Sequence, residues 1–263
     1  MAAAAQEDST KARPDSLKVG GMIIVKQEGK SDNNDEERER NLPRFLRKRQ
    51  SSNISTNWLI FDIGFANLND QTNYASPGAA AFAPNLGKDA FKLRTGKSIN
   101  VNIWIFMQKV NLVKHVVNLK YGLGLELNNY RFEDTRLQLN VRPTSVALNQ
   151  DWANLNKNKL AVDYLTIPVM LNFNLTPGRY RGFGFSAGMS VGYRYSSRQK
   201  IKDAEGNKTK IYNDFDLNQW KLAYIGELNL GPVKLYGSYA VKSMWSKGLD
   251  QIPYNFGIRL SHW

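Results

Sequence analysis

The stretch Val117-Asn118-Leu119-Lys120-Tyr121-Gly122-Leu123-Gly124-Leu125-Glu126-Leu127 decides the fold. Its odd positions are aliphatic or aromatic, and its even positions are Asn, Lys, Gly, Gly and Glu. Successive side chains of an extended strand point to opposite faces, so this order makes one apolar and one polar face. A helix of about 3.6 residues per turn would set Lys120 and Glu126 among the leucines. The stretch is therefore a strand.

Working outward, seven more stretches alternate in the same way. Residues 57–66 set Leu59, Phe61, Ile63 and Phe65 against Trp58, Asp62 and Gly64. The next sets Ile99, Val101, Ile103, Ile105 and Met107 against Asn100, Asn102, Trp104 and Gln108. Beyond residue 160, Leu165 to Phe173, Phe183 to Tyr193, Trp220 to Leu230, Val233 to Val241 and Tyr254 to Leu260 each carry an apolar row opposite Gly, Ser, Asn or charge. No helical pattern intervenes. The expected fold is all-β: an eight-stranded antiparallel up-and-down transmembrane barrel over residues 56–263, with a largely disordered N-terminal extension, residues 1–55.

Link lengths sort by side. Residues 68–97, 129–159 and 197–218 are long. Those centred on Asn111-Leu112-Val113-Lys114, Thr176-Pro177-Gly178 and Gly231-Pro232 are tight, and the link from Lys242 to Gln251 is intermediate. One end of the sheet thus carries the elaborated loops, as in outer-membrane barrels with short periplasmic turns.

Composition is compatible with this. No stretch approaches the roughly 18 apolar residues of a spanning helix, and the mean hydropathy is −0.48. Alternating barrel strands average to such values, so a membrane barrel stays open. The absence of cysteine excludes disulfide scaffolds, iron–sulfur centres and thiol nucleophiles. A net charge of +13 first suggests nucleic acid. Yet residues 1–55 carry 11 basic and 9 acidic side chains, and the rest of the excess is spread without a basic helix or an aromatic RNA-binding motif. Nucleic acid is not an expected partner.

The extension holds polar runs such as residues 31–40, which bury too little apolar surface to offset the entropy of ordering. The exception is Met22-Ile23-Ile24-Val25, placed to pair as an extra strand. The opening Met1-Ala2-Ala3-Ala4-Ala5-Gln6 lacks the apolar core of a signal peptide and is compatible with the remainder of a cleaved one.

Periodicity does not say which face is outside, because a soluble lipocalin-like barrel turns its apolar face inward around a ligand. Three features choose. The polar parity is rich in glycine (Gly64, Gly122, Gly124, Gly184, Gly188, Gly192, Gly257), as a narrow filled interior requires. The apolar rows are nearly unbroken over membrane-spanning lengths. Phe65, Tyr193, Tyr195, Trp220, Tyr239 and Tyr254 gather near the long-loop side as an interfacial girdle. The polar face therefore points inward, carrying Asp62, Glu126 and Glu227 with Lys120, Arg194, Lys221, Lys234 and Arg259. Trp58, Trp104, Phe106, Tyr164 and Tyr236 share that parity, so a plugged interior is expected rather than a wide pore.

The run Asp163-Tyr164-Leu165-Thr166-Ile167-Pro168-Val169-Met170-Leu171 resembles the recurring Tyr-Leu-x-Ile-Pro strand of the PorT-like outer-membrane barrel family. A proline inside a strand removes one ladder donor and should mark a bulge or a break in pairing. Tyr121-Gly122-Leu123-Gly124-Leu125 and the ending Tyr254-Asn255-Phe256-Gly257-Ile258-Arg259-Leu260-Ser261-His262-Trp263 support the resemblance. That ending is similar to a terminal insertion strand, but alternation puts His262 on the lipid face and Trp263 on the other, so either a terminal bulge restores the pattern or the ending departs from such a strand. The resemblance implies a Gram-negative outer membrane. For the PorT member it also implies gliding and secretion, which are not transferred here.

His115 and His262 lie at short-turn ends without metal-binding or triad spacing, so no catalytic, cofactor or metal residue is expected. The expected role is a monomeric membrane anchor or interaction platform in contact with outer-membrane lipid and with periplasmic or surface proteins. Two alternatives are a lipocalin-like binder of an apolar ligand and a barrel enzyme acting on lipid.

Overall fold

The computed structural model describes residues 16–19, 22–25, 52–141, 143–177 and 182–261. The chain divides into two units, Met1–Arg47 and Lys48–Trp263. In the first, β1 (Ser16–Val19) pairs antiparallel with β2 (Met22–Val25), Ser16 opposite Val25. The run expected as an extra strand thus pairs with its own neighbour. The rest of the extension up to residue 51, where disorder was expected, lies outside the described residues, as do His262 and Trp263, where a terminal bulge or a departure from an insertion strand was expected. Ile54 and Ser55, counted with the extension, open the first strand of the second unit.

The second unit contains β3 (Ile54–Asp70), β4 (Ile99–Val113), β5 (Val117–Arg131), β6 (Leu137–Val141), β7 (Thr144–Leu148), β8 (Lys157–Asn174), β9 (Phe183–Lys202), β10 (Lys208–Tyr212), β11 (Trp220–Leu230), β12 (Val233–Ala240) and β13 (Gln251–Leu260). Strands β3, β4, β5, β8, β9, β11, β12 and β13 pair in that order, each antiparallel to the next. β13 returns to β3, with Leu260 opposite Phe61 and Gln251 opposite Asp70. The sheet closes into the expected eight-stranded up-and-down barrel, which leaves its ring no open edge. At Pro168 the β5–β8 ladder runs from Tyr121–Val169 to Gly124–Thr166 and skips the residues between, the break that a missing donor imposes.

The long links are not irregular. Residues 71–98 contain α1 (Pro77–Phe82), whose first turn is capped by the Ser76 hydroxyl accepting from the Ala79 amide. Residues 132–156 contain the β6–β7 hairpin. β10 folds back along the end of β9, Lys208 opposite Lys202 and Tyr212 opposite Arg198. Strands on this side outrun the expected spans, β5 reaching Arg131 and β9 reaching Lys202. The links pack with these strand ends around Phe82, Phe91, Tyr130, Leu137, Phe215 and Trp245. Phe82 and Trp245 meet edge-on at 5.4 Å. This apolar cap sits on the long-link side, whereas the apolar cluster inside the ring is small: Ile60, Trp104, Met107 and Met170.

Inward and outward parity follow the expected rows except near the short-turn end of β3 and β4. Leu59 has a φ of +52°, and the β4–β5 register shifts between Trp104 and Phe106. Below these points both strands exchange faces. Asn57 and Met107 become buried, and Trp58 is 64% exposed. Trp58 and Phe106 therefore do not fill the interior as expected; they pack together on the outside, ring centroids 5.9 Å apart. Gln108 likewise leaves the interior and donates to Thr56 Oγ1 at 2.9 Å.

Candidate functional site

Inside the ring the alternation brings six charged side chains together. Arg259 on β13 reaches Asp62 on β3 through Nε and Nη2, both at 2.7 Å. Asp62 also accepts from Trp104 Nε1 at 2.7 Å and Asn102 Nδ2 at 3.2 Å. Glu227 pairs with Lys120 and Arg259. Glu126 pairs with Lys221 and accepts from Asn128 and Asn255, each at 3.0 Å. Three carboxylates thus face three cations, and each charge is held by an opposite one, as burial demands.

Asparagines extend the network. Asn100 donates to Asn102 and Asn128, both at 2.9 Å, and accepts from the Tyr236 hydroxyl at 2.5 Å. The space among Asn102, Glu126, Tyr236 and Arg259 has a volume of about 30 Å³, room for a water or two.

Two expected interior cations lie apart from this cluster. Arg194 turns to the cap, donating to the Leu217 carbonyl at 3.1 Å and the Ser197 hydroxyl at 2.8 Å. Lys234 donates to the Ser261 carbonyl at 2.9 Å, at the other end of the barrel. Further buried amides fasten the cap. Gln199 donates to the Leu137 carbonyl at 2.8 Å and accepts from the Leu139 amide at 3.1 Å. Gln251 accepts from Trp245 Nε1 at 2.9 Å and donates to Asp70 at 3.0 Å. At the upper end of β3, beyond the lipid belt, burial would raise the Asp70 carboxyl, but hydrogen bonds from Tyr74, Thr72 and Gln251 outweigh it and hold it below the ordinary range. Burial and the Asp70 hydrogen bond push the Tyr74 phenol up.

The inward asparagines were readable as polar-parity residues of their strands. The cap residues were not, because Phe82, Phe91, Phe215 and Trp245 are scattered singly through loops of no fixed period.

The outer surface is the inverse of a soluble protein's. Ile63 is 56% exposed, Ile167 52% and Tyr224 58%, within a continuous apolar belt around the ring. An exposed apolar band that runs around the whole ring is the outer face of a barrel that meets lipid. Tyr193–Trp220 and Tyr239–Tyr254 lie paired on its cap side. Trp58–Phe106 and Phe173–Phe185 form a second girdle on the short-turn side. Phe185 and Tyr193 are eight residues apart on β9, roughly 20 Å of height at a 40° tilt, close to the band of an outer-membrane barrel. A lipocalin-like interior is overturned, since the polar rows point inward.

A closed ring with a polar filled interior, a lipid-facing belt and two aromatic girdles defines the class of outer-membrane β-barrels. The chain belongs to the family described as the outer membrane protein beta-barrel domain, matched over residues 63–240, and resides in the bacterial outer membrane. Among solved structures it is similar to that of Ail, the attachment invasion locus protein of Yersinia pestis. Identity is 11% and the TM-score 0.30, with 78% of this chain and 98% of that one covered. A structure of the same protein in complex with the heparin analogue sucrose octasulfate gives 12% and 0.28, with the same coverage. No curated protein matches the chain.

Proposed function

We propose that this barrel is a membrane-held interaction platform, PorT-like in its strands, whose folded cap meets a surface partner, and that it neither conducts nor catalyses. The observation that carries this reading is the double closure of the lumen: paired charges fill the ring, and the core of the cap lies on its long-link side. A barrel built as a conduit needs a continuous wet path. Here the side chains that would line it are engaged with one another.

The same reading leaves catalysis unassigned. His115 occupies the β4–β5 turn, and among the described residues its imidazole meets neither a serine hydroxyl nor a carboxylate. Planar-bilayer recording of the full refolded chain is expected to give no stepwise conductance, and steps from the wild-type protein would overturn the platform. Hydrolysis of outer-membrane lipid that is abolished in His115→Ala would restore the enzyme. Capture from detergent-solubilised membranes, with and without residues 1–55, tells whether the partner binds the barrel unit or the extension.

A further inference from the structure

Beyond the cap-side girdle, β8, β9 and β10 continue as a three-stranded sheet, and its register lines up cations. Lys159 faces Lys200, which faces Lys210. One step further, Lys157 faces Lys202, which faces Lys208. Directly paired residues of antiparallel strands share a face, so these six lysines form two adjacent rows on one surface. Arg131 extends the first row from β5, opposite Lys159.

That surface is the outer one. The alternating residues Asn158, Leu160 and Gln199 are buried against the cap, which turns the lysines away from the barrel axis, as the lipid-facing side chains are turned below them. From Tyr195 to Lys200 is five residues, roughly 16 Å of strand and about 12 Å of height at such a tilt.

Like charges directly opposite each other destabilise a sheet. Among the described residues none of the six lysines has an ion-pair partner. Asp163 is engaged by Arg198, and Asp203 by Asn207 at the hairpin tip. Burial, with Lys157, Lys200 and Arg198 adding to it, lowers the Lys159 ammonium to about 8. The rows hold a positive charge that the protein itself does not neutralise.

We propose that the Lys157–Lys202–Lys208 and Lys159–Lys200–Lys210 rows dock the phosphorylated head and inner sugars of the anionic glycolipid that forms the outer leaflet around the barrel. Their placement selects this ligand. The rows look sideways rather than upward, just above the belt, where the neighbouring molecules are membrane lipids and their anionic groups are phosphates. Lysine binds phosphate as a point charge and needs no fork geometry. This inference is independent of whether the cap has a protein partner or the lumen conducts.

The test uses the full chain refolded in detergent, titrated with lipopolysaccharide, with the same lipopolysaccharide after removal of its phosphates, and with heparin as a soluble polyanion. Phosphorylated lipopolysaccharide is expected to bind at least about tenfold tighter than the dephosphorylated form, and the K200Q/K202Q/K210Q variant to lose about that factor. Because those changes relieve like-charge repulsion, the variant's heat-modifiable mobility should be unchanged or survive to higher temperature. If it fails to fold, K208Q/K210Q, confined to a strand outside the ring, should still weaken binding about threefold or more. Equal binding of the two lipopolysaccharides, unaltered binding by the folded variants, or heparin preferred over lipopolysaccharide would each overturn the proposal.

Discussion

Tyr236 and Trp104 occupy the barrel interior because glycines on neighbouring strands give up their side-chain space. A Cβ on Gly64 would lie 2.6 Å from the Tyr236 hydroxyl and 2.2 Å from the Phe256 carbonyl oxygen; one on Gly124 would lie 2.6 Å from the Trp104 ring. The polar parity foretold small residues in a narrow, filled interior. In the structure they make room for rings, whose Nε1 and hydroxyl then reach Asp62 and Asn100. Gly64→Ala is expected to destabilise the barrel by about 1–3 kcal/mol, read as a lower urea midpoint in detergent. Replacing Asp62 by Asn removes the carboxylate that Arg259 forks but leaves Glu227 opposite the guanidinium, so the cost is expected at about 1.5–3 kcal/mol. The D62L/R259M pair, which removes both charges, should recover most of that loss. Which residues pointed inward was legible from parity; which carboxylate met which cation was not, because partners such as Asp62 and Arg259 are 197 positions apart in the chain and strand register joins them.

Among the elements, the lower halves of β3 and β4 departed furthest from expectation, and the turn that joins β4 to β5 shifted along the chain. The link expected to be tight around Asn111 to Lys114 is tight, but β4 runs on to Val113 and the turn is centred two residues later, where the Val116 amide donates to the Val113 carbonyl at 2.9 Å. Its central residues Lys114 and His115 both have positive φ, +45° and +59°, the geometry that favours Asn-Gly in hairpins. K114N/H115G should therefore stabilise the hairpin by up to about 1 kcal/mol, measured as slower unfolding. The face exchange at Leu59 was invisible because both Leu59 and Trp58 suit a lipid-facing position, so hydrophobicity does not reveal a step of one residue. The cap's attachment also depends on pH. The depressed Asp70 carboxyl contributes stability that is complete above the ordinary carboxylate range and is lost as pH falls through its lowered value. Protease cleavage within residues 71–98 should accelerate on acidification through that range, and Asp70→Asn should flatten the response.

For the barrel as a whole, the number and connectivity of the ring strands were legible from a period of two repeated eight times, and the direction of the two faces from the glycines of the polar rows and the aromatics at the ends of the apolar ones. The cap was not, since a loop core is assembled from single aromatics whose neighbours are chosen only in three dimensions. It changes how the long links behave: a barrel with irregular loops would be trimmed by protease to its membrane belt. Here the β6–β7 hairpin and α1 are expected to resist cleavage until Phe82→Ala or Trp245→Ala opens their core, a loss of about 3–5 kcal/mol.

The seam of the ring bears on how the molecule is made. Asp62 belongs to the first strand of the barrel and Arg259 to the last, and they face each other across the β13–β3 pairing. With 197 positions between Asp62 and Arg259, this pairing closes the longest loop of the ring, the contact that chain entropy delays most. Until it forms, Asp62 has only the neutral donors Trp104 and Asn102 of β4, and Arg259 only the Glu227 that it shares with Lys120, inside a membrane that penalises poorly compensated charge. Closing the circle is then a single late event that both margins favour together. A half-assembled barrel should be short-lived, and the Asp62→Asn chain is expected to accumulate as a species that has entered lipid yet runs as unfolded on a cold gel, whereas the wild-type chain passes directly to the compact form.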